Sequence, residues 1–193
     1  MQPDIILKKL SDIPPADISS HINLLSEAEK NAVHQIRSDE RRYLKAWAHA
    51  FVRQNIADRM HIAPQDLQFT EEDHKKPGFS NPGVLHFSIS YTTDAAAVLI
   101  SPSPVGLDLE KLRPHKMRFR DNLGTPAELS RLRQSPENLP LFYEFWTRKE
   151  AWLKYTGDGL SVPLNSFDVW QPPVSDHLHT IMFEDEYCIS WCK

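Results

Sequence analysis

Hydrophobic residues recur at helical intervals in the first sixty residues and then change to short, strand-like runs. Apolar residues within 41–60 recur at helical intervals, which is typical of a helix with one buried face. They are Leu44, Trp47, Phe51 and Ile56. Ser26 and Glu29 have the spacing of a capping box at an earlier helix start. The first half is therefore expected to start α-helical.

Three short strand-like runs follow the polar, Pro-containing stretch 71–83. They are HFSISY (86–91), AAAVLI (95–100) and VGLDLE (105–110), separated by the turn Thr92-Thr93-Asp94 and the breaker SPSP (101–104). This pattern predicts three antiparallel strands.

The second half repeats the order of helix followed by strands. Thr125 to Glu128 (TPAE) predicts one helix start, and residues 140–155 form an amphipathic pattern that ends at Gly157. Strand-like runs follow at 167–170, 178–183 and 187–192. We therefore predict an α+β pseudo-dimer of two similar halves, 1–103 and 104–193, each a helix packed on a small antiparallel three-stranded sheet.

Composition narrows the classes of function. The 193 residues are 40% hydrophobic with a net charge of -4, which is ordinary for a globular protein and argues against general nucleic-acid binding. No run approaches the ~20 apolar residues of a membrane span, and the chain does not open on a signal peptide. We expect a cytoplasmic monomer. The basic segment 111–120 (KLRPHKMRFR) is either a solvated stretch or a local patch for an anionic ligand.

Two clusters carry candidate chemistry. Asp108 and Glu110 are two apart on a predicted strand, so both carboxylates project from one face, either into solvent or toward a cation such as Mg²⁺. Glu150 and Lys154 share a helix face, either as an ordinary ion pair or as a metal ligand and a phosphate-binding cation.

Together these clusters resemble the Sfp-type 4′-phosphopantetheinyl transferases. The family pattern is G-[IV]-D-x-E followed some forty residues later by W-[ST]-x-K-E-[AS]-x-x-K, and this chain has GLDLE (106–110) and WTRKEAWLK (146–154). Glu150 follows Asp108 by 42 positions. KPG (76–78), HFSIS (86–90), TPAE (125–128) and GDGLS (157–161) resemble further family segments.

The resemblance implies a fold, a reaction and a set of site residues. The active site would lie between the two halves, and the enzyme would transfer the phosphopantetheine arm of coenzyme A to a serine of an apo acyl or peptidyl carrier protein, in fatty-acid, polyketide or nonribosomal-peptide synthesis. Asp108, Glu110 and Glu150 would hold Mg²⁺, and Lys154 would bind a phosphate beside it. The positions that match nucleotide-binding residues are Lys76, Ser90, Tyr91 and one of Arg41 and Arg42.

Three further expectations accompany this resemblance. Glu128 matches a glutamate that activates the acceptor serine, but it also fits the N3 position of a capping box, and both roles stay open. Tyr91 stands where the family usually has a histidine that contacts the 3′-phosphate of coenzyme A. An acidic carrier is expected to dock on Arg113, Lys116, Met117, Arg118, Phe119 and Arg120. The alternative function is a non-catalytic module of the same fold that binds coenzyme A or a carrier protein.

Overall fold

A computed structural model describes residues 4–12, 18–70, 78–79, 85–114, 120–157 and 159–193. The described helices are α1 (Ile18–Asn23), α2 (Glu27–His34), α3 (Asp39–Met60), α4 (Pro126–Gln134) and α5 (Leu139–Thr156). The described strands are β1 (Asp4–Lys9), β2 (Phe69–Thr70), β3 (Gly78–Phe79), β4 (His86–Tyr91), β5 (Ala95–Ser101), β6 (Gly106–Lys111), β7 (Leu178–Phe183) and β8 (Tyr187–Cys192). No helix of the described part is long and apolar enough to cross a membrane.

Helix ends follow the local chemistry of the sequence. Both predicted capping boxes are present, with the Ser26 and Thr125 hydroxyls each accepting a hydrogen bond from the backbone N–H of the glutamate three residues later. Helix α5 begins after Asn138 and ends at Gly157, which adopts the left-handed conformation at φ 79° that glycine tolerates best. The helix predictions are confirmed at these positions.

Two three-stranded antiparallel sheets form the framework. The first has the order β1-β5-β4 and the second the order β6-β8-β7, while β2 and β3 form a separate pair. The three predicted strands β4, β5 and β6 are all present, but they are divided between the two sheets. Strand β5 pairs with β1 on one side and β4 on the other, so neither edge is open, and β6 pairs with β8 instead.

Two predictions about secondary structure were wrong. The chain does not start α-helical, because β1 precedes the first helix and its Ile5 and Leu7 pack against the core. Residues 167–170 do not form a strand, since side chains bind their backbone: the Asp168 carboxylate accepts from Trp170 N–H, and the Glu128 carboxylate accepts from Val169 N–H. Such hydrogen bonds compete with a strand ladder.

The order of elements is nevertheless repeated. One series runs β1, α3, β4, β5 and the other β6, α5, β7, β8, and in each sheet the last strand lies between the other two. A shared core contains buried residues of β5, β6 and β8, including Leu99, Leu107 and Ile189. The duplication of the two halves stays a prediction that this order favours.

Strand β6 lies against both β4 and α5. The Ser88 hydroxyl of β4 accepts a hydrogen bond from Leu107 N–H at 2.9 Å. A Cβ atom at Gly106 would lie 1.9 Å from the carbonyl oxygen of Ala151, so only glycine permits this approach to α5. The strand that carries Asp108 is thereby held against both β4 and α5.

Candidate active site

Asp108 lies at the junction of β4, β6 and α5. The residue is 5% exposed, and its Oδ1 atom accepts hydrogen bonds from Ser90 Oγ at 2.9 Å and Lys154 Nζ at 2.7 Å. The other oxygen, Oδ2, is buried without a hydrogen-bond partner in the described structure. A buried carboxylate oxygen without a partner is costly, so this atom is available to a ligand that the site would bind.

Glu110 and Glu150 lie close enough to Asp108 to feel its charge. Burial raises the pKa of Glu110, and the Asp108 charge raises it further, although a hydrogen bond from Trp146 opposes both effects. Burial and the Asp108 charge also raise the pKa of Glu150. Three carboxylates and one lysine therefore share this junction, and negative charge is in excess.

The donor set suits a hard cation. Among the residues that the structure describes, no three His, Cys, Asp or Glu side chains form a ready-made metal cluster. The carboxylates are nevertheless the oxygen ligands that Mg²⁺ prefers, and Oδ2 of Asp108 lacks a partner. Asp108, Glu110 and Glu150 therefore fit the cation that the sequence predicts, which would also relieve the mutual repulsion of the three side chains.

A cavity of about 620 Å³ adjoins these carboxylates and reaches α3. It is lined by Ile36, Arg41, Leu44, Lys45, Tyr91, Thr92, Thr93, Glu110, Lys111, Arg113 and Tyr143. Four of these residues are Arg or Lys and only one is acidic, so the cavity is suited to an anion at some distance from Glu110.

The structure distinguishes the two neighbouring arginines. Arg41 is exposed and lines the cavity. The Arg42 guanidinium is engaged locally, donating to the Ile36 carbonyl at 2.8 Å and to Asp39 at 2.7 Å. Arg41 is thus the arginine in position to meet a ligand in the cavity.

Tyr91 and Ser90, which are adjacent on β4, take different positions. Tyr91 is 44% exposed, lines the cavity, and places its ring edge-on against His49 of α3 at 6.2 Å between ring centroids. Ser90 instead donates to Asp108. The family resemblance implies that both residues contact the nucleotide, and in the structure Ser90 contacts Asp108 of the carboxylate cluster.

Glu128 is buried and fully engaged. Its carboxylate accepts from Thr125 N–H at 2.7 Å and Val169 N–H at 2.8 Å, and it forms an ion pair with Lys149 at 2.7 Å. Both side chains of that pair are 0% exposed. Lys149 also donates to the carbonyls of Leu164 and Phe167. These contacts favour the capping role over serine activation.

The predicted docking segment is only partly described. Lys116, Met117, Arg118 and Phe119 lie outside the described residues, as does Lys76. Arg120 is exposed, whereas Arg113 lines the cavity and its guanidinium donates to the Thr93 hydroxyl.

Sequence reasoning missed Lys45 and the contact of Trp146 with Glu110. Trp146 is the first residue of the WTRKEAWLK motif, so the sequence did indicate that it lies near the site. Its hydrogen bond to Glu110 could not be predicted, because it depends on how α5 packs against β6. Lys45 could have been found from its spacing of four from Arg41 on α3.

Comparisons with known proteins relate this chain to transferases. Residues 104–193 match the family model described as the 4′-phosphopantetheinyl transferase superfamily. The 4′-phosphopantetheinyl transferases Sfp and ffp of Bacillus subtilis are each 29% identical to this chain over 159 residues, covering 75% of this chain and 71% of their own length.

The chain is therefore similar to the 4′-phosphopantetheinyl transferase superfamily over residues 104–193, and to two Bacillus subtilis transferases over 75% of its length. The gsp transferase of Aneurinibacillus migulanus is a further relative, 24% identical over 161 residues, with 79% of this chain and 67% of the relative covered. The match to the family model includes Asp108, Glu110, Glu150 and Lys154, which lie together at the junction described above. The resemblance predicted from the two-part motif is thereby confirmed.

Proposed function

We propose that this protein transfers the 4′-phosphopantetheine arm of coenzyme A to a serine hydroxyl of an apo acyl or peptidyl carrier protein. The observation that carries the proposal is the convergence of Asp108, Glu110, Glu150 and Lys154 beside a cation-lined cavity. Transferases with this family name are its relatives.

The reaction is a displacement at phosphorus. The serine oxygen forms a bond to the β-phosphorus of coenzyme A, the bond from that phosphorus to the bridging oxygen breaks, and adenosine 3′,5′-bisphosphate leaves with the electron pair. Mg²⁺ held by Asp108, Glu110 and Glu150 would neutralise charge on the phosphate oxygens. Lys154 holds a positive charge at the same junction, 2.7 Å from Asp108 Oδ1, where it can contact a phosphate oxygen.

The nucleotide end of coenzyme A is proposed to occupy the 620 Å³ cavity, since Glu110 belongs both to its wall and to the carboxylate cluster. Arg41 and Tyr91 would contact it there. We further propose that the two halves form a pseudo-dimer with the active site between them, which the link from Ser90 of β4 to Asp108 of β6 supports.

The acceptor-serine proton requires a base or water. The sequence offers Glu128 for this role, but all its contacts described above lie in a buried helix cap. The Glu128→Gln variant separates the roles, because a general base contributes roughly 10²–10⁴-fold to rate, whereas a cap contributes to stability.

Intact-protein mass spectrometry tests the proposal. The protein is incubated with coenzyme A, Mg²⁺ and apo carriers of several synthetic pathways, and each carrier is weighed. A gain of one phosphopantetheine, abolished by a chelator, is expected. Unmodified carriers together with retained coenzyme A binding would instead favour the non-catalytic module.

A further inference from the structure

The second sheet ends on an edge strand that lacks the usual protection against further pairing. In the order β6-β8-β7, strand β8 is the only strand that pairs with β7 within the described residues. The β7 sequence LHTIMF contains no Pro, Lys, Arg, Asp or Glu, which are the residues that commonly block an edge. Ile181 and Met182, on opposite faces of the strand, are 44% and 38% exposed. Such an edge is suited to pairing with another strand.

The backbone groups that β7 offers at this edge follow from its pairing with β8. Lys193 N–H donates to the His177 carbonyl, so the odd-numbered residues from His177 onward direct their backbone groups toward β8. The N–H and C=O groups of Leu178, Thr180 and Met182 therefore point away from the sheet. They form a row of donors and acceptors to which an antiparallel strand can bind.

We propose that this edge binds a second copy of the chain, with the two β7 strands antiparallel and Ile181 opposite Ile181 of the second copy. A two-fold axis at Ile181 makes the pairing reciprocal. On the other face of the sheet, Met182 of the second copy would lie beside Thr180, next to a cavity of about 360 Å³ that Leu141, Thr180 and Met182 help to line. Methionine is flexible and is suited to filling such a gap.

The charges at the two ends of β7 favour this antiparallel arrangement. The turn after the strand is the acidic run 184–186 (EDE). Near the start of the strand, burial lowers the pKa of His179, and the positive charges of Lys193 and Arg148 lower it further. Asp176 offsets part of this positive charge. The proposed pairing sets the acidic turn of each copy against the basic end of the other, whereas a parallel pairing would bring like charges together.

The active site stays open in this dimer. Asp108 and Glu110 lie on β6, at the opposite edge of the same sheet, and β8 separates them from β7. The inference goes beyond the proposed function and does not depend on transfer. It also departs from the monomer that is expected from the sequence.

Sedimentation velocity at a series of protein concentrations tests the dimer. We expect the wild-type protein to dimerise and Ile181→Lys to weaken the dimer at least about tenfold, because two like charges would meet directly across the strands. Ile62→Lys is the matched control, since Ile62 is 39% exposed and follows α3 on another part of the surface. This control should dimerise as the wild type does.

A cysteine cross-link tests the register. The two Ile181 Cα atoms would be about 4.5 Å apart, as in a non-hydrogen-bonded antiparallel pair, which is within disulfide reach. The two His179 Cα atoms would be about 13 Å apart, since each lies four residues along the strand from the residue opposite the other. In air-oxidised protein we expect a disulfide-linked dimer for Ile181→Cys and none for His179→Cys.

Several results would overturn the proposal. They are a wild type that is monomeric at every concentration, an Ile181→Lys protein that dimerises as the wild type does, equal weakening by Ile62→Lys, and linkage through His179→Cys. A monomeric wild type whose affinity for an apo carrier falls in Ile181→Lys would assign the edge to the carrier instead. Failure to modify any carrier would refute transfer and leave the measured oligomeric state unaffected.

Discussion

Replacing Glu128 should cost stability far more than catalysis. Its carboxylate forms an ion pair with Lys149, both side chains being 0% exposed, and accepts from Thr125 and Val169 N–H. Removing one partner of a buried ion pair costs about 3–5 kcal/mol, whereas the whole free energy of unfolding of a typical protein is roughly 5–15 kcal/mol. For Glu128→Ala this corresponds to a fall of roughly 6–20 °C in melting temperature for a chain of this size.

Neutralisation of Lys149 limits that cost. Burial lowers the pKa of Lys149, and the Glu128 hydrogen bond and charge oppose the effect. Without the carboxylate the pKa falls further, so the lysine can lose its proton instead of remaining buried and charged. Combining Glu128→Gln with Lys149→Met removes both charges and should recover part of the lost stability, which a double-mutant cycle would measure.

The assay measures two quantities for each variant: the free energy of unfolding in denaturant and the rate of single-turnover transfer. The transfer rate is measured at a temperature where all variants are folded. We expect Glu128→Gln to lower the free energy of unfolding while its transfer rate stays within about tenfold of wild type. An essentially unchanged unfolding free energy with a rate loss of roughly 10²–10⁴-fold would show that Glu128 is the base and refute this reasoning.

Three further variants test other parts of the structure. Burial raises the pKa of Glu29, but hydrogen bonds from His49 and Ser26 oppose this effect, and the pKa falls from 4.5 to about 2. The shift corresponds to about 3 kcal/mol of folding stability, which is present above pH 4.5 and should be lost as the pH falls toward 2. Urea unfolding across that range should show a smaller loss for Glu29→Gln, and an equal loss would contradict the assignment. Lys154→Ala should slow transfer at saturating coenzyme A, because it removes the positive charge beside Asp108 while the Ser90 hydrogen bond to Asp108 remains. A full rate would exclude Lys154 from the site. Arg120→Glu should raise the Michaelis constant for the carrier, whereas Arg113→Ala should raise the Michaelis constant for coenzyme A, because Arg113 lines the cavity. If both variants changed the two Michaelis constants equally, the carrier and coenzyme A would not bind separate surfaces.

The helix starts and the two-part motif could be predicted because their signals are local. A capping box requires only residues three apart, and both boxes are present at Ser26 and Thr125. Alternation on β6 likewise indicated that Asp108 and Glu110 share a face.

Strand partners could not be predicted in the same way. The run that became β6 has the same local pattern whether it pairs with β5 or with β8. Strand β6 cannot pair with β5, because β1 and β4 already occupy both edges of β5. Strand β1 lies more than ninety positions before β6 in the sequence, so no local pattern indicates this. The Glu128–Lys149 ion pair and the cavity wall that contains Lys45 were similarly hidden, because they form only after α3, α4 and α5 pack.

The most direct test of the carboxylate cluster compares the transfer rate of Glu150→Gln with that of the wild-type protein. The rate is measured by intact-protein mass spectrometry of the carrier. Burial and the Asp108 charge raise the pKa of Glu150, so a neutral glutamine should leave the protein at least as stable as before. We predict transfer at least about a hundredfold slower, with the melting temperature unchanged or higher. A Glu150→Gln protein that modifies the carrier at the wild-type rate would contradict the assignment of this centre.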